Sequence, residues 1–152
     1  MSNLLEIKDL WIEGRSDEVW NPIINGASLT LKKGEVLGLI GESGAGKSTL
    51  GLAAMGFTRD GVRISSGSVV FDGIDLINAS AAEKRDLLGK RIAYVAQSAA
   101  ASFNPAHKLI DQHTEAPVQH HVSSKADSIE DGIELYRRLR LPNPEEIGFR
   151  YP

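Results

Sequence analysis

The chain has 152 residues, a length that suits one domain with its own buried core. Its hydrophobic fraction of 41% and charged fraction of 24% are those of a globular protein and exclude an intrinsically disordered chain. The net charge of −3 provides no overall basic field for nucleic acid, and the absence of cysteine excludes disulfides, thiol catalysis and cysteine metal sites.

The start of the chain does not have the pattern of a targeting segment. Residues 1–14 (MSNLLEIKDLWIEG) lack the basic n-region and the long apolar h-region of a signal peptide. No apolar run approaches the roughly 18 residues that span a bilayer. We therefore expect a soluble chain, which can still dock on a membrane protein.

The first part of the chain is predicted to contain three strands. Residues 4–12 (LLEIKDLWI) are apolar and partly alternating, and residues 27–31 (ASLTL) alternate again. The polar segment 13–22, with its Gly and Pro, predicts a loop, and residues 32–34 (KKG) predict a turn. The run EVLGLI at 35–40 is short and almost wholly apolar, which favours a strand buried on both faces of a sheet.

A helix, a hairpin and a further buried strand are predicted next. Residues 47–57 predict a helix packed on the sheet. Asp72-Gly73 lies between the apolar arms of residues 68–77, which is a strong hairpin signal. Residues 91–97 (RIAYVAQ) are a second run typical of a buried strand.

Three further helices are predicted around and after that strand. The sequence SAAE at 80–83 has the spacing of a capping box, which predicts a helix through about Leu88. Residues 108–121 are helix-like with a break near Pro117, and residues 125–140 predict a better helix. The order of elements indicates an α/β core followed by a helical segment.

The glycine-rich residues 41–48 (GESGAGKS) match the phosphate-binding pattern G-x-x-x-x-G-K-[ST] at every fixed position. The glycines let successive N–H groups point inward, and the helix that begins near Lys47 adds its positive end. Lys47 supplies a charge for the β- and γ-phosphates, Ser48 can ligate Mg²⁺, and Thr49 can hydrogen-bond the α-phosphate. The alternative is a strand–helix turn with an incidental lysine. We predict that a nucleoside triphosphate is bound by Gly41, Glu42, Ser43, Gly44, Ala45, Gly46, Lys47, Ser48 and Thr49.

Residues 34–57 (GEVLGLIGESGAGKSTLGLAAMGF) resemble the Walker A segment of ABC-type ATPases. The resemblance is to the branch that energises dipeptide, oligopeptide and nickel import in bacteria. Residues 91–112 (RIAYVAQSAAASFNPAHKLIDQ) resemble the same branch, in which a strand ends in the Q-loop glutamine and runs on through S-L-N-P. Phe103 stands where leucine is usual, and Ser98-Ala99 replace Asp-Pro. The residues that match in register are Gln97, Ser102, Asn104, Pro105, Ile110 and Gln112.

The resemblance implies ATP and Mg²⁺ as ligands, with Lys47 and Gln97 as catalytic residues. Gln97 would reach Mg²⁺ and the attacking water, and Ser48 would be the other metal ligand. An aromatic residue in the early loop of such proteins stacks on adenine, and Trp20 is the candidate. The alternative for Trp20 is packing or loop anchoring. Trp11 lies on a predicted strand and is expected in the core.

The resemblance implies a P-loop NTPase fold: an ABC-type ATPase core with an N-terminal antiparallel β-subdomain and the start of the helical subdomain. The predicted division is 1–97 for the nucleotide-binding core and 98–152 for the Q-loop segment and helical start. An LSGGQ-like signature, a Walker B strand and a switch histidine do not occur in residues 1–152. We expect a chain truncated before the signature motif, which binds ATP and hydrolyses it very slowly.

The resemblance also implies partners and a location. The region from Gln97 to Pro105 would contact integral membrane permease subunits, and a second ABC ATPase subunit would form a homo- or heterodimer with this one. Nucleic acid is not an expected partner, and the location would be cytoplasmic, peripheral on the inner face of the cell membrane. Two alternatives stay open: a soluble ABC-type ATPase without a transport role, and a nucleotide-binding module without catalysis.

Overall fold

The computed structural model describes residues 3–98 and 102–152. The chain forms two compact units, Met1–Lys84 and Arg85–Pro152. The division predicted between residues 97 and 98 separates the nucleotide-binding core from the Q-loop segment by function. It stays a prediction.

A four-stranded antiparallel sheet organises the first unit, in the order β2-β1-β3-β4. This sheet confirms the predicted antiparallel β-subdomain. The predicted loop over 13–22 is wrong, because β1 and β2 continue to a two-residue turn at Asp17-Glu18. Both turn residues have positive φ, 50° and 66°, as the central residues of a type I′ turn do. The strands are β1 Asn3–Ser16, β2 Val19–Lys32, β3 Val62–Phe71 and β4 Ile74–Asp75.

A bulge in β1 decides which side chains reach the core. Ile7 pairs with Leu29 and Leu10 pairs with Ala27, so three steps along β1 face two steps along β2. Asp9, inside the bulge, has a φ of 43°. The extra residue shifts the alternation, so that Ile7 and Leu10 are both buried. Trp11 is therefore turned to the other face and is 39% exposed, so its expected place in the core is wrong.

Local patterns over residues 32–87 are confirmed. The turn at 32–34 closes with a hydrogen bond from the Glu35 N–H to the Lys32 carbonyl, 3.1 Å. Asp72-Gly73 joins β3 to β4 as a hairpin. Helix α1, Lys47–Ala53, ends four residues before the predicted end. Helix α2, Ala81–Leu87, begins with the predicted capping box.

The two runs predicted as buried strands, 35–40 and 91–97, are not strands. Among residues 3–98 and 102–152, neither run joins a sheet, and Ile92 makes a single isolated bridge to Leu88. Val36 is 94% exposed and Ile40 is 97% exposed. The reason is that a strand forms only against a hydrogen-bonding neighbour, which no described segment supplies to these runs.

The second unit is helical, with α3 Leu109–Gln119, α4 Lys125–Arg138 and α5 Pro144–Ile147. The predicted break near Pro117 is wrong, because α3 continues through Pro117 to Gln119. Ser124 caps α4 by accepting a hydrogen bond from the Asp127 N–H, 3.1 Å. No helix in the described part of the chain is long and apolar enough to cross a membrane.

Candidate functional site

The glycine loop links the apolar run 35–40 to α1. Gly44 and Gly46 have φ of 85° and 83°, values that residues with a Cβ rarely adopt. The Ala45 N–H donates to the Glu42 carbonyl, 3.2 Å, which turns the chain at the tip of the loop. Gly46 is the N-cap of α1, so the loop passes directly into the helix as the motif predicts.

The side chain of Lys47 folds back over this loop. Its Nζ donates hydrogen bonds to the carbonyl oxygens of Gly41, 2.7 Å, and Glu42, 2.5 Å. A flexible ammonium group held only by backbone carbonyls can exchange these acceptors for stronger, anionic ones. The charge predicted to meet phosphate therefore lies against the backbone of the loop itself.

The first turn of α1 leaves polar groups available beside Lys47. No side chain caps the helix at Gly46, and the first N–H groups of any helix lack an acceptor within it. Within residues 3–98 and 102–152, the hydroxyls of Ser48 and Thr49 make no hydrogen bond. This set of N–H, hydroxyl and ammonium groups has the chemistry to hold a phosphate chain and an oxygen-bound cation such as Mg²⁺.

Gly46 also sets how closely the loop approaches the sheet. A Cβ at this residue would lie 2.7 Å from Cδ1 of Ile24 and 3.3 Å from Cγ2 of Ile23. A side chain at position 46 would therefore require Ile24 to shift and would be strained at a φ of 83°, so glycine suits the place where the loop lies against β2.

Trp20 lies on β2, three residues before Ile23, and its ring already has a neighbour. The guanidinium carbon of Arg63 lies 4.1 Å from the ring centroid, a cation–π contact. Arg63 also pairs with Glu13, with Nη2 2.8 Å from Oε2. The role of Trp20 in adenine stacking stays a prediction, and an adenine would need the other face of the ring or the displacement of Arg63.

Gln97 is exposed in the second unit, just before residues outside the described ranges. The Ser102 hydroxyl donates a hydrogen bond to the Ser98 carbonyl, 2.9 Å, which links the described residues before and after that gap. The replacement of Asp-Pro by Ser98-Ala99 falls partly on Ala99, which lies outside the described residues. The roles of Gln97 at Mg²⁺ and at the attacking water stay predictions.

Gln112 makes three hydrogen bonds that the sequence motif did not predict. Its Oε1 accepts from the Asn104 N–H, 2.8 Å, and its Nε2 donates to the carbonyls of Asn104 and His107, both 2.9 Å. The resemblance marked Gln112 and Asn104 as matching residues, but only the folded chain shows that they bond to each other.

Two of the four histidines, His113 and His120, use their side chains in packing and hydrogen bonding. His113 meets Tyr136 edge-on with ring centroids 5.6 Å apart, and His120 Nε2 donates to the Leu88 carbonyl, 2.8 Å. The described residues contain no group of three or more His, Cys, Asp or Glu side chains arranged for a metal ion.

The sequence profile of the ABC transporter family matches residues 24–143, which include the glycine loop, Gln97 and Gln112. The chain belongs to the ABC transporter family. The resemblance drawn from the Walker A and Q-loop segments is thereby confirmed.

Curated members of this family match along most of the chain. A probable peptide ABC transporter ATP-binding protein of Sinorhizobium fredii is 32% identical over 98% of this chain and 45% of its own length. The dipeptide transport ATP-binding protein DppD of Haemophilus influenzae is 33% identical, again over 98% and 45%. The peptide transport system ATP-binding protein SapD of Salmonella typhimurium is 36% identical over 70% and 32%. The chain thus spans about half the length, or less, of the curated relatives it matches.

Solved structures show the fold. A dimeric structure of a bacterial ABC transporter cassette has a TM-score of 0.77 over 97% of this chain and 61% of that chain, at 17% identity. A dimeric post-hydrolysis state of an ATP-binding cassette, bound to ADP and Pi, gives 0.75 over the same shares at 17% identity. The predicted ABC-type ATPase fold is confirmed, with the two unpaired runs as the difference from the predicted elements.

Proposed function

We propose that this chain binds Mg-ATP through residues 41–49 and acts as the ATP-binding part of an importer for peptides or related solutes. The observation that carries the proposal is the Lys47 ammonium, which lies 2.7 Å from the Gly41 carbonyl and 2.5 Å from that of Glu42. Membership of the ABC transporter family supports nucleotide binding. The names of the matched relatives, which are peptide and dipeptide transport proteins, support the solute class.

Each polar group of the loop has a proposed task. The inward N–H groups hold the phosphate oxygens, and the Lys47 ammonium exchanges its carbonyl acceptors for the β- and γ-phosphates. The Ser48 hydroxyl is the proposed protein ligand for Mg²⁺, and Thr49 bonds the α-phosphate. When bound, Mg²⁺ would supply charge neutralisation at the phosphates. Trp20 is the proposed contact for adenine.

Hydrolysis is proposed to need more than these residues. Gln97 is proposed to orient the attacking water, because a neutral amide accepts from water without adding charge. The 152 residues contain no Walker B strand, whose acidic residue would serve as the general base. We therefore expect this chain alone to bind ATP and to release phosphate very slowly, whereas a subunit with all the motifs would be an active ATPase.

The partners proposed for this part are permease subunits and a second ABC subunit. The segment from Gln97 to Pro105 is the proposed permease contact, and its described residues are exposed. The proposed location is the cytoplasmic, inner face of the cell membrane, reached through the permease. A soluble ABC-type ATPase without a transport role would form no such complex.

The test of nucleotide binding is Lys47→Ala, measured by titration with Mg-ATP. Loss of hydrogen bonds from a charged donor should weaken binding at least about tenfold. Lys33→Ala is the matched control, because Lys33 is an exposed lysine in the nearby turn. Equal affinity for both variants and the unchanged chain would refute the proposed role of the loop.

A further inference from the structure

The segment 102–107 is exposed, yet it is held by a defined set of hydrogen bonds. The Asn104 carbonyl accepts from the His107 N–H, 3.2 Å, which closes a turn around Pro105. The Asn104 side chain accepts from the Ala106 N–H, 3.0 Å. Three further bonds to this turn, one accepted and two donated, come from a single side chain, Gln112.

A primary amide suits this position. The turn presents one N–H and two carbonyls to residue 112, and only a side chain with an acceptor and two N–H donors can satisfy all three. Glutamate has no N–H to donate, and alanine offers neither group. Gln112 is half-buried as a residue, and its three bonds to the turn lie at the exposed surface.

Gln112 is itself fixed, because it belongs to the first turns of α3. The N–H groups of Leu109 and Ile110 donate to the carbonyls of Arg150, 3.0 Å, and Gly148, 2.6 Å. Ile110 is buried. The start of α3 is therefore held by the residues that follow α5. Because Gln112 lies in this part of α3, its hydrogen bonds fix the turn relative to the helix.

We propose that Gln112 is a positioning residue that sets the shape of segment 102–107 for contact with a cytoplasmic segment of a permease subunit. The inference rests on the proposed transporter function, since that function assigns the contact to this region. The backbone turn, and not the side chain of Gln112, is the surface that meets the partner. The Ser102–Ser98 bond links the same turn to the residue that follows Gln97.

Amide hydrogen exchange, resolved by residue, tests the positioning in the chain itself. In Gln112→Ala the Asn104 N–H should exchange about tenfold faster, because it loses its acceptor. The Thr114 N–H within α3 should keep its rate, since alanine favours the helix. In Gln112→Glu the Asn104 N–H should stay slow, because the carboxylate still accepts from it. The His107 N–H should exchange faster, because the two donors that hold the carbonyls of Asn104 and His107 are lost and the turn closed by the His107 N–H loosens. Wild-type rates at Asn104 and His107 in Gln112→Ala would overturn the proposal.

Cross-linking tests whether the shape of the turn matters to a partner. The chain has no cysteine, so Ala106→Cys provides a single thiol for a photoreactive maleimide in native membranes. We expect a product with an integral membrane protein, and loss of most of that product when Gln112→Ala is added. Gln119→Ala is the matched control, because Gln119 is an exposed glutamine on the same helix.

The outcomes separate the two proposals. Faster exchange with an undiminished membrane product would overturn the positioning role and leave the permease contact standing. No membrane product from Ala106→Cys with Gln112 intact would refute the permease contact, and with it the role of Gln112 toward a permease. The exchange rates would still decide whether Gln112 holds the turn.

Discussion

The apolar residues of β1 and those of the run 35–40 are of similar types, but they differ in burial and in strand pairing. Leu10 in β1 is buried, with β2 on one side and β3 on the other. Val36 and Ile40 are almost fully exposed, and their run joins no sheet among the described residues. An apolar pattern thus gives a segment the tendency to form a strand, but a hydrogen-bonding neighbour makes it one.

The largest expected difference between the two regions is in the free energy of unfolding. Leu10→Ala should destabilise the first unit by about 2–5 kcal/mol, because it removes buried methyl groups and leaves a cavity. Val36→Ala should change the free energy of unfolding by less than about 0.5 kcal/mol, as an exposed substitution does. Urea unfolding followed by far-UV circular dichroism measures both.

A large loss of stability in Val36→Ala would break the comparison, since it would mean that the run 35–40 is packed in solution. Equal effects of the two substitutions would have the same meaning. Comparable urea m-values in both variants are the control, because they show that the same surface unfolds.

The next effect concerns the backbone of the sheet. Gly67 on β3 has a φ of 98°, and a Cβ there would clash with the carbonyl oxygen of Asp9 in the bulge of β1. Gly67→Ala should therefore cost more than about 2 kcal/mol in unfolding free energy, from the left-handed conformation and the clash together.

Gly34→Ala is the control for this prediction. Gly34 has a φ of 81° and no heavy atom within 4 Å of an added Cβ, so it should cost only the conformational part, about 1–2 kcal/mol. Chemical unfolding of the two variants side by side provides the measurement. A smaller cost at Gly67 than at Gly34 would show that the bulge of β1 is not packed against β3.

The smallest expected effect concerns the capping box of α2, a contact between residues that are close together in the sequence. The hydroxyl of Ser80 and its backbone N–H donate to Glu83 Oε2, at 2.7 and 2.8 Å, and together they lower the pKa of Glu83. A lowered acid pKa means that the carboxylate stabilises the folded helix above the ordinary glutamate range. This contribution is lost as the pH falls through the lowered pKa.

Ser80→Ala removes the hydroxyl and should move the pKa of Glu83 back toward its ordinary value, measured by carboxyl NMR titration. The pKa of Glu145, which its own backbone N–H and Arg137 lower, should not move. An unchanged Glu83 pKa would mean that the hydroxyl does not hold the carboxylate in solution.

The parts of the fold that were predictable from sequence are those determined over a few residues. The capping box at Ser80, the hairpin at Asp72-Gly73 and the passage from the glycine loop into α1 all depend on neighbours in the chain. The turn at Asp17-Glu18 was missed because it lacks the Gly or Asn that marks a type I′ turn.

Features that depend on residues far apart in the sequence could not be predicted from it. The bulge at Asp9 places Trp11 outside the core, and no pattern in residues 4–12 predicts that β1 contains a bulge. Within the candidate site, the position of Lys47 was predictable from the motif, whereas the contact of Arg63 with Trp20 joins residues that are far apart in the chain.

That contact gives the protein an internal optical signal. The chain has two tryptophans, and they differ in surroundings: the Trp11 Nε1–H donates to Asp9 Oδ1, 3.2 Å, while the Trp20 ring lies under a guanidinium. Indole emission is sensitive to a charge above the ring, so any molecule that displaces Arg63 from Trp20 would change the fluorescence without an added dye. The unmodified chain therefore reports on its own whether Arg63 leaves Trp20.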